Sequence, residues 1–369
     1  MPDPGSLPPI DHAAHRDAAR SRLATAELAL LLVTDPANVR YLTGFAGSNG
    51  QVLIARDAAD DRLITDDRYV ERAATEAPGL EVVVSREPLP VAIDHAAGRH
   101  PALGFEADHL TWRQGERLRG LAADADVRVE PTTGTVERPR EVKDTAELAR
   151  LTAACQVTVD ALTWLLAEVV AAGRTERELA LTLERRFLDL GGDGVAFPSI
   201  VAAGPNGAIP HHAPTDRPLA EGELLTVDCG AIVDGYHADC TRTVAVGDVA
   251  AELVTIHEVV REAQAAGRAV AVAGATVGQV DAAARDVIAT AGFGPRFVHG
   301  TGHGVGLAIH EAPAVGQGGR ATLAAGTALT VEPGIYLPGV GGVRIEDTIV
   351  VTADGPARIL TDLSRELRP

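Results

Sequence analysis

Cysteine is scarce in this chain of 369 residues. The three present, Cys155, Cys229 and Cys240, are odd in number and form no C-x-x-C pair, which excludes a disulfide framework or a cysteine zinc knuckle and fits a reducing compartment. Positive charge is short as well. Lys and Arg total 33 against 51 Asp and Glu, a formal net charge of −18, so neither nucleic acid nor an anionic membrane surface is an expected partner. No apolar run reaches the roughly 20 residues of a membrane span. The opening M-P-D-P-G-S-L-P-P-I sets prolines and acids where a secretory signal needs basic and then apolar residues. Together these absences point to a cytoplasmic protein whose first dozen residues are loosely held.

What is present is ordinary in bulk and specific in detail. Hydrophobic content of 46% is that of a globular protein, and the length is past what one core usually serves, so two domains are expected. Over residues 28–129 the runs L-A-L-L-L-V, Q-V-L-I-A, L-E-V-V-V and A-L-G-F read as strands. Helical candidates around 68–77 and 110–122 separate them, which makes an α/β unit. The stretch P-T-T-G-T-V-E-R-P-R-E-V-K lacks periodicity, placing a boundary there, with domains 1–137 and 138–369. A helix begins after it, with Asp144 and Glu147 in capping-box spacing.

The second domain repeats itself. Thr175-x-x-Glu178 after Gly173 and Thr276-x-x-Gln279 after Gly274 cap two amphipathic helices, which end at Gly191-Gly192 and at Gly292. F-P-S-I-V-A-A-G from Phe197 is then answered by F-V-H-G-T-G-H-G from Phe297, and E-G-E-L-L-T-V-D-C-G from Glu221 by A-G-T-A-L-T-V-E-P-G from Ala325. Offsets that drift so little imply two copies of one unit about a pseudo-twofold axis, with matching positions meeting in the middle.

Each copy offers carboxylates. A strand ends in Asp228 in the first and in Glu332 in the second, and a returning strand brings another acid. The Asp234-Gly235 turn sets Asp228 opposite Thr241 and makes Asp239 a diagonal neighbour, roughly 7 Å or less away between Cβ atoms. Pairing about Gly339 sets Glu332 opposite Glu346. Four converging carboxylates repel one another unless cations neutralise them, so two divalent metals are expected. The stretch 297–311, F-V-H-G-T-G-H-G-V-G-L-A-I-H-E, reads as a glycine-rich non-helical segment holding His299, His303 and His310 for chemistry. With His303 as fifth ligand, four hard oxygen donors and one imidazole suit Mn, Co, Zn or Fe(II). Alternation turns Cys229 and Cys240 away from the ions. Arg344 shares a face with Glu346 and is either a cation orienting a ligand or a plain salt bridge. His211 and His212 in the first copy compete for a place opposite His310, and the imidazoles titrate where proton transfer and oxyanion binding need them. A metal pair would activate water and polarise a carbonyl. Amide hydrolysis is the natural reaction.

At these residues the chain resembles the pita-bread metallopeptidases, the family of aminopeptidase P, prolidase and methionine aminopeptidase. The resemblance covers nearly the whole chain and implies an α+β architecture: a creatinase-like N-terminal α/β domain, matched at Y-L-T-G-F-A-G-S-N-G and L-I-T-D-D-R-Y, then a catalytic domain with internal pseudo-twofold duplication. It implies metal ligands at Asp228, Asp239, His303, Glu332 and Glu346, with Mn the first choice of ion. It also implies substrate or proton-shuttle roles for His211, His299 and His310 and a general-base role for Glu332; Arg344, from its place beside Glu346, is expected at the substrate site. The implied activity is cleavage before proline in short peptides, as a homodimer. Many family sequences carry an arginine four residues after the histidine matching His310, suited to a dipeptide's carboxylate; here Ala314 stands there. That favours an Xaa-Pro aminopeptidase over an Xaa-Pro dipeptidase, although Arg320 lies nearby. Some relatives of this fold are non-catalytic binding modules, which usually lack one or more ligands.

Overall fold

The computed structural model describes residues 7–100 and 102–368, so residues 1–6 of the segment expected to be loosely held lie outside it. The chain divides into two compact units, Pro9–Arg140 and one built from Glu141 onward. In the first, six strands form one sheet: β1 (Leu30–Val33), β2 (Gly50–Ala55), β3 (Arg62–Thr65), β4 (Glu81–Val84), β5 (Ala102–Glu106) and β6 (Arg128–Thr132), in the order β4-β3-β2-β1-β5-β6. β1 is apolar along its whole length and lies near the middle, buried on both faces. Two strands were not legible. β3 is four residues long and opens on Arg62, and β6 carries Pro131, which a sheet tolerates at the edge position it occupies. Helices His12–Thr25, Pro36–Thr43 and Pro88–Ala96 are additional to those the periodicity marks, while Val70–Glu76 and Trp112–Asp124 lie where it sets them.

The second unit is duplicated down to single hydrogen bonds. Helices Thr145–Trp164 and Glu176–Asp189 open its first half, and Ala251–Val270 and Val277–Thr290 its second. The Asp144/Glu147, Thr175/Glu178 and Thr276/Gln279 capping boxes are all formed. Gly173 N donates to Leu219 O and Leu219 N to Arg174 O; a hundred or so residues on, Gly274 N donates to Leu323 O and Leu323 N to Ala275 O.

The first half continues with β7 (Gly194–Val195), β8 (Ile200–Ala203), β9 (Glu223–Cys229), β10 (Ala231–Val233), β11 (Tyr236–His237) and β12 (Cys240–Val246). The second has β13 (Gly302–Gly304), β14 (Glu311–Val315), β15 (Ala328–Val331), β16 (Gly334–Leu337), β17 (Gly341–Arg344), β18 (Asp347–Val350) and β19 (Arg358–Ile359). In each half one long hairpin is interrupted midway. β9 pairs β12 with Asp228 opposite Thr241, and the same register resumes in β10 and β11 with Ile232 opposite His237. β15 pairs β18 and β16 pairs β17 in one continuous register, which leaves Glu332 facing Glu346 in the gap between them. Asp239, Glu332 and Glu346 therefore stand where backbone pairing lapses, and Asp228 stands inside the ladder one residue before its end.

The histidine-bearing stretch contains a strand that glycine content concealed. β13 is held between β14 and β15, with Gly304 opposite Glu311 on one side and Leu329 on the other. A Cβ on Gly302 would lie 2.0 Å from Thr330 O, and one on Gly304 2.1 Å from Ala312 O. The glycines here serve close approach of neighbouring strands rather than looseness.

Candidate metal centre

Asp228 sits near the end of β9, Asp239 just before β12, Glu332 just after β15 and Glu346 just before β18. The halves are stitched together at this point. Thr241 Oγ1 donates to Glu346 Oε2 at 2.7 Å, Glu346 N to Thr241 O at 3.1 Å, and Thr348 Oγ1 to Asp239 O at 2.8 Å. His303 reaches the same cluster, its Nε2 lying 3.5 Å from Asp239 Oδ2 and 3.4 Å from Glu332 Oε1. Its Nδ1 donates to Gly304 O at 3.0 Å, so the lone pair is left on Nε2, the atom that faces the carboxylates.

Three features make the cluster fit cations. Donor atoms of Asp239, His303 and Glu346 all lie within 4.8 Å of one another. Asp228 Oδ1 and Glu346 Oε1 are buried acceptors with no hydrogen-bond partner. Burial, and then the charges of the neighbouring acids, push Asp239 and Glu346 well above the usual carboxylate range, and burial raises Glu332 to about 7 against the opposing pull of Arg344. Divalent ions would take up the orphaned oxygens and the excess charge together.

Arg344 joins the two halves. Its Nη2 donates to Asp228 Oδ2 at 2.6 Å and its Nη1 to the Tyr336 hydroxyl at 3.0 Å. Tyr336 OH lies 2.8 Å from His299 Nε2, and His299 Nδ1 donates to Gly300 O at 2.7 Å. Burial lowers His299 to about 4, so the ring is neutral at pH 7 and Nε2 accepts from Tyr336. Both its nitrogens are thus engaged within the protein, and what it presents to a ligand is the ring itself. Replacing Arg344 with Ala should weaken binding of divalent metal by about 10- to 100-fold, the usual loss when a group orienting a ligand is removed. Calorimetric titration with Mn²⁺ measures this, and an unchanged affinity would make Arg344 a bystander.

A cavity of about 460 Å³ opens onto these groups, lined by His211, His212, His299, His303, His310 and Arg344 among polar side chains and by Phe197, Ile200, Pro210 and Ile309 among apolar ones. His310 meets the His303 ring edge-on, centroids 4.4 Å apart, and is held below the usual imidazole range by burial and by His303. Of the competing pair, His211 is exposed while His212 is buried, with Nε2 2.9 Å from Glu176 Oε2. The loop before β13 is held from behind, where Arg285 donates to Phe297 O and His299 O while paired with Asp281. Arg320 is exposed and does not line the cavity.

Several supporting groups escaped the sequence reading. Tyr336 is one the hairpin rule could have found, since Arg344 lies opposite Gly334 and Tyr336 is therefore its diagonal neighbour. Arg242 and Asp347 had no such signal. Arg242, fully buried, donates to Glu346 O and to Asp347 Oδ1, and holds the carbonyls of Thr361, Leu363 and Ser364. Asp347 also accepts from Gln264 at 2.6 Å and Arg365 at 2.8 Å. This network fixes the strand that follows Glu346. The three cysteines are free and buried, with Cys229 opposite Cys240 in the ladder.

A twofold-repeated fold whose hairpins converge on four acids and a histidine defines a metallopeptidase, and comparison with known proteins agrees. The chain belongs to metallopeptidase family M24, whose model matches residues 149–353, and the Creatinase/Prolidase N-terminal domain matches residues 15–142. Among curated relatives, an Xaa-Pro dipeptidase of Pyrococcus horikoshii is 40% identical over 349 residues, covering 92% of this chain and 94% of that protein. Among solved structures, an Xaa-Pro dipeptidase from Bacillus anthracis superposes with a TM-score of 0.91 at 36% identity, covering 97% of this chain and 99% of that one. An X-Pro aminopeptidase from Thermotoga maritima superposes with a TM-score of 0.88 at 31% identity, covering 95% and 98%.

Proposed function

We propose that this enzyme is an Xaa-Pro aminopeptidase, removing the residue that precedes a proline from the N-terminus of short peptides, with Asp228, Asp239, His303, Glu332 and Glu346 holding two divalent ions. The observation that carries the metal assignment is the pair of orphaned, buried oxygens on Asp228 and Glu346 within a cluster of repelling acids. When bound, the ions supply Lewis-acid polarisation and a nucleophile drawn from water at neutral pH. Mn is the proposed native metal, with Co, Zn and Fe(II) compatible with the same donors.

The chain's own groups divide the remaining work. Glu332, whose carboxyl sits near neutrality until cations arrive, is placed to accept a proton as general base. His310 is neutral at pH 7 and can donate an N–H to negative charge growing on the scissile carbonyl oxygen, with His211 in the same cavity for the same purpose. Phe197, Ile200, Pro210 and Ile309 offer an apolar wall to a proline ring. Arg344 lines the substrate cavity but orients Asp228 and Tyr336. Among the described residues no other Lys or Arg lines that cavity, so none is left to bind the carboxylate of a dipeptide. This favours substrates longer than two residues.

The second reading, an Xaa-Pro dipeptidase, is favoured by the names of the Pyrococcus and Bacillus relatives. Cleavage of Xaa-Pro, Xaa-Pro-Yaa and longer peptides under added Mn²⁺ separates the two. The expected result is higher kcat/KM on tripeptides and longer substrates, and activity confined to the dipeptide would establish the second reading. The family resemblance also carries the proposals of a homodimer and of a cytoplasmic compartment. Three free cysteines support the latter, and among the described residues no helix is long and apolar enough to cross a membrane.

A further inference from the structure

Glu176 is the first residue of the helix Glu176–Asp189 and is wholly buried, yet among the described residues no Arg or Lys forms an ion pair with it. A buried carboxylate is costly unless donors surround it, and here five do. Oε1 accepts from Ala203 N at 2.9 Å and Asn206 Nδ2 at 2.9 Å; Oε2 accepts from Thr215 N at 3.0 Å and Thr215 Oγ1 at 2.7 Å, and lies 2.9 Å from His212 Nε2. All these donors belong to one stretch, residues 203–215, which leaves β8, passes His211 and turns back. One side chain ties its beginning, its middle and its end.

The duplication supplies an internal control. In the second half the corresponding helix, Val277–Thr290, starts behind the same kind of capping box and the same backbone bonds to its neighbour, but its first residue is Val277, buried and apolar. The repeated fold therefore forms with a hydrocarbon at this position. What the first half gains from a carboxylate is a hold on its loop.

We propose that Glu176 is a positioning residue for the peptidase reaction, fixing His211 at the cavity through His212 and the 203–215 loop without touching metal or substrate. The proposal rests on the function assigned to His211 above. Losing the hold lets the imidazole drift, and a misplacement near 1 Å can cost up to about 100-fold in rate. The loss is in kcat rather than KM, because His211 acts on charge that develops during the reaction.

The test is a double-mutant cycle in the Mn²⁺-loaded protein, using Glu176→Gln, His211→Ala and the pair. Glu176→Gln should lower kcat by up to about 100-fold with metal stoichiometry unchanged, and should lower it no further once His211 is gone. An equal loss in both backgrounds, or full activity in Glu176→Gln, overturns the proposal. Glu176→Val, which borrows the residue of the other half, guards against a change peculiar to Gln and should behave alike. A second readout needs no turnover. In metal-free protein, carbethoxylation of His211 by diethyl pyrocarbonate, located by mass spectrometry, should be faster in Glu176→Gln than in the parent. An unchanged rate counts against the positioning role, whereas a faster rate in a protein that cleaves no Xaa-Pro peptide would uphold the positioning and refute the function.

Discussion

Glu332→Gln should reduce hydrolysis of an Xaa-Pro-Yaa peptide by about 10²- to 10⁴-fold, the range for loss of a general base, while making the metal-free protein more stable at pH 8. The two effects have opposite sign for one reason. Burial drives Glu332 up to about 7, so keeping it ionised at pH 8 in the absence of cations costs the fold on the order of 3 kcal/mol relative to the unfolded chain. The neutral amide avoids that cost but cannot take a proton or neutralise a cation. Peptide turnover and thermal unfolding in excess chelator report the two halves of the expectation. Full activity in the variant, or a lower metal-free melting temperature than the parent, would defeat it.

Metal removal should destabilise the protein more at high pH than at low pH. Asp239, Glu332 and Glu346 have folded values raised by burial and by neighbouring acids. Their contribution is fully present below the ordinary carboxylate values of 3.8 and 4.5 and is lost as pH climbs through the folded values, which for Glu332 means through about 7. Histidines work in the other direction at lower pH. His299, His303 and His310 are lowered by burial, so their contribution improves as pH rises towards the ordinary 6.5 and is constant above it. Asp347, held low despite its burial by Arg242 and Arg365, acts only on the acid side. The clean window therefore lies above pH 6.5. Between there and pH 8.5 the melting temperature in chelator should fall, and the gain on adding Mn²⁺ should grow, because binding needs the ionised carboxylates. A chelated protein whose melting temperature stays level or rises across that window would show that these acids do not carry the strain assigned to them.

Turn chemistry made much of the centre readable. Asp234-Gly235 and Gly339 mark two registers, and those registers set Asp228 against Thr241 and Glu332 against Glu346, as the folded chain does. The repeat was legible because capping boxes and glycine stops recur at nearly constant spacing. What stayed hidden depended on partners remote in sequence. Gly302 and Gly304 look like loop residues until Thr330 and Ala312 are seen pressing on them. Glu176 looks like the ordinary acid of a helix's first turn until five donors from residues 203–215 close around it. Arg242 and Asp347 sit on strands separated by more than a hundred residues, and neither periodicity nor composition hints that they meet.

The interrupted hairpins have an implication for how such a centre could arise. Each contributes two acids at or beside its break, so a single unit of half the second domain would carry an incomplete coordination sphere and could close it only against its own twin. One copy sets the His303 imidazole beside the acids and the other commits the Glu176 carboxylate to its loop, leaving a symmetric frame around asymmetric chemistry.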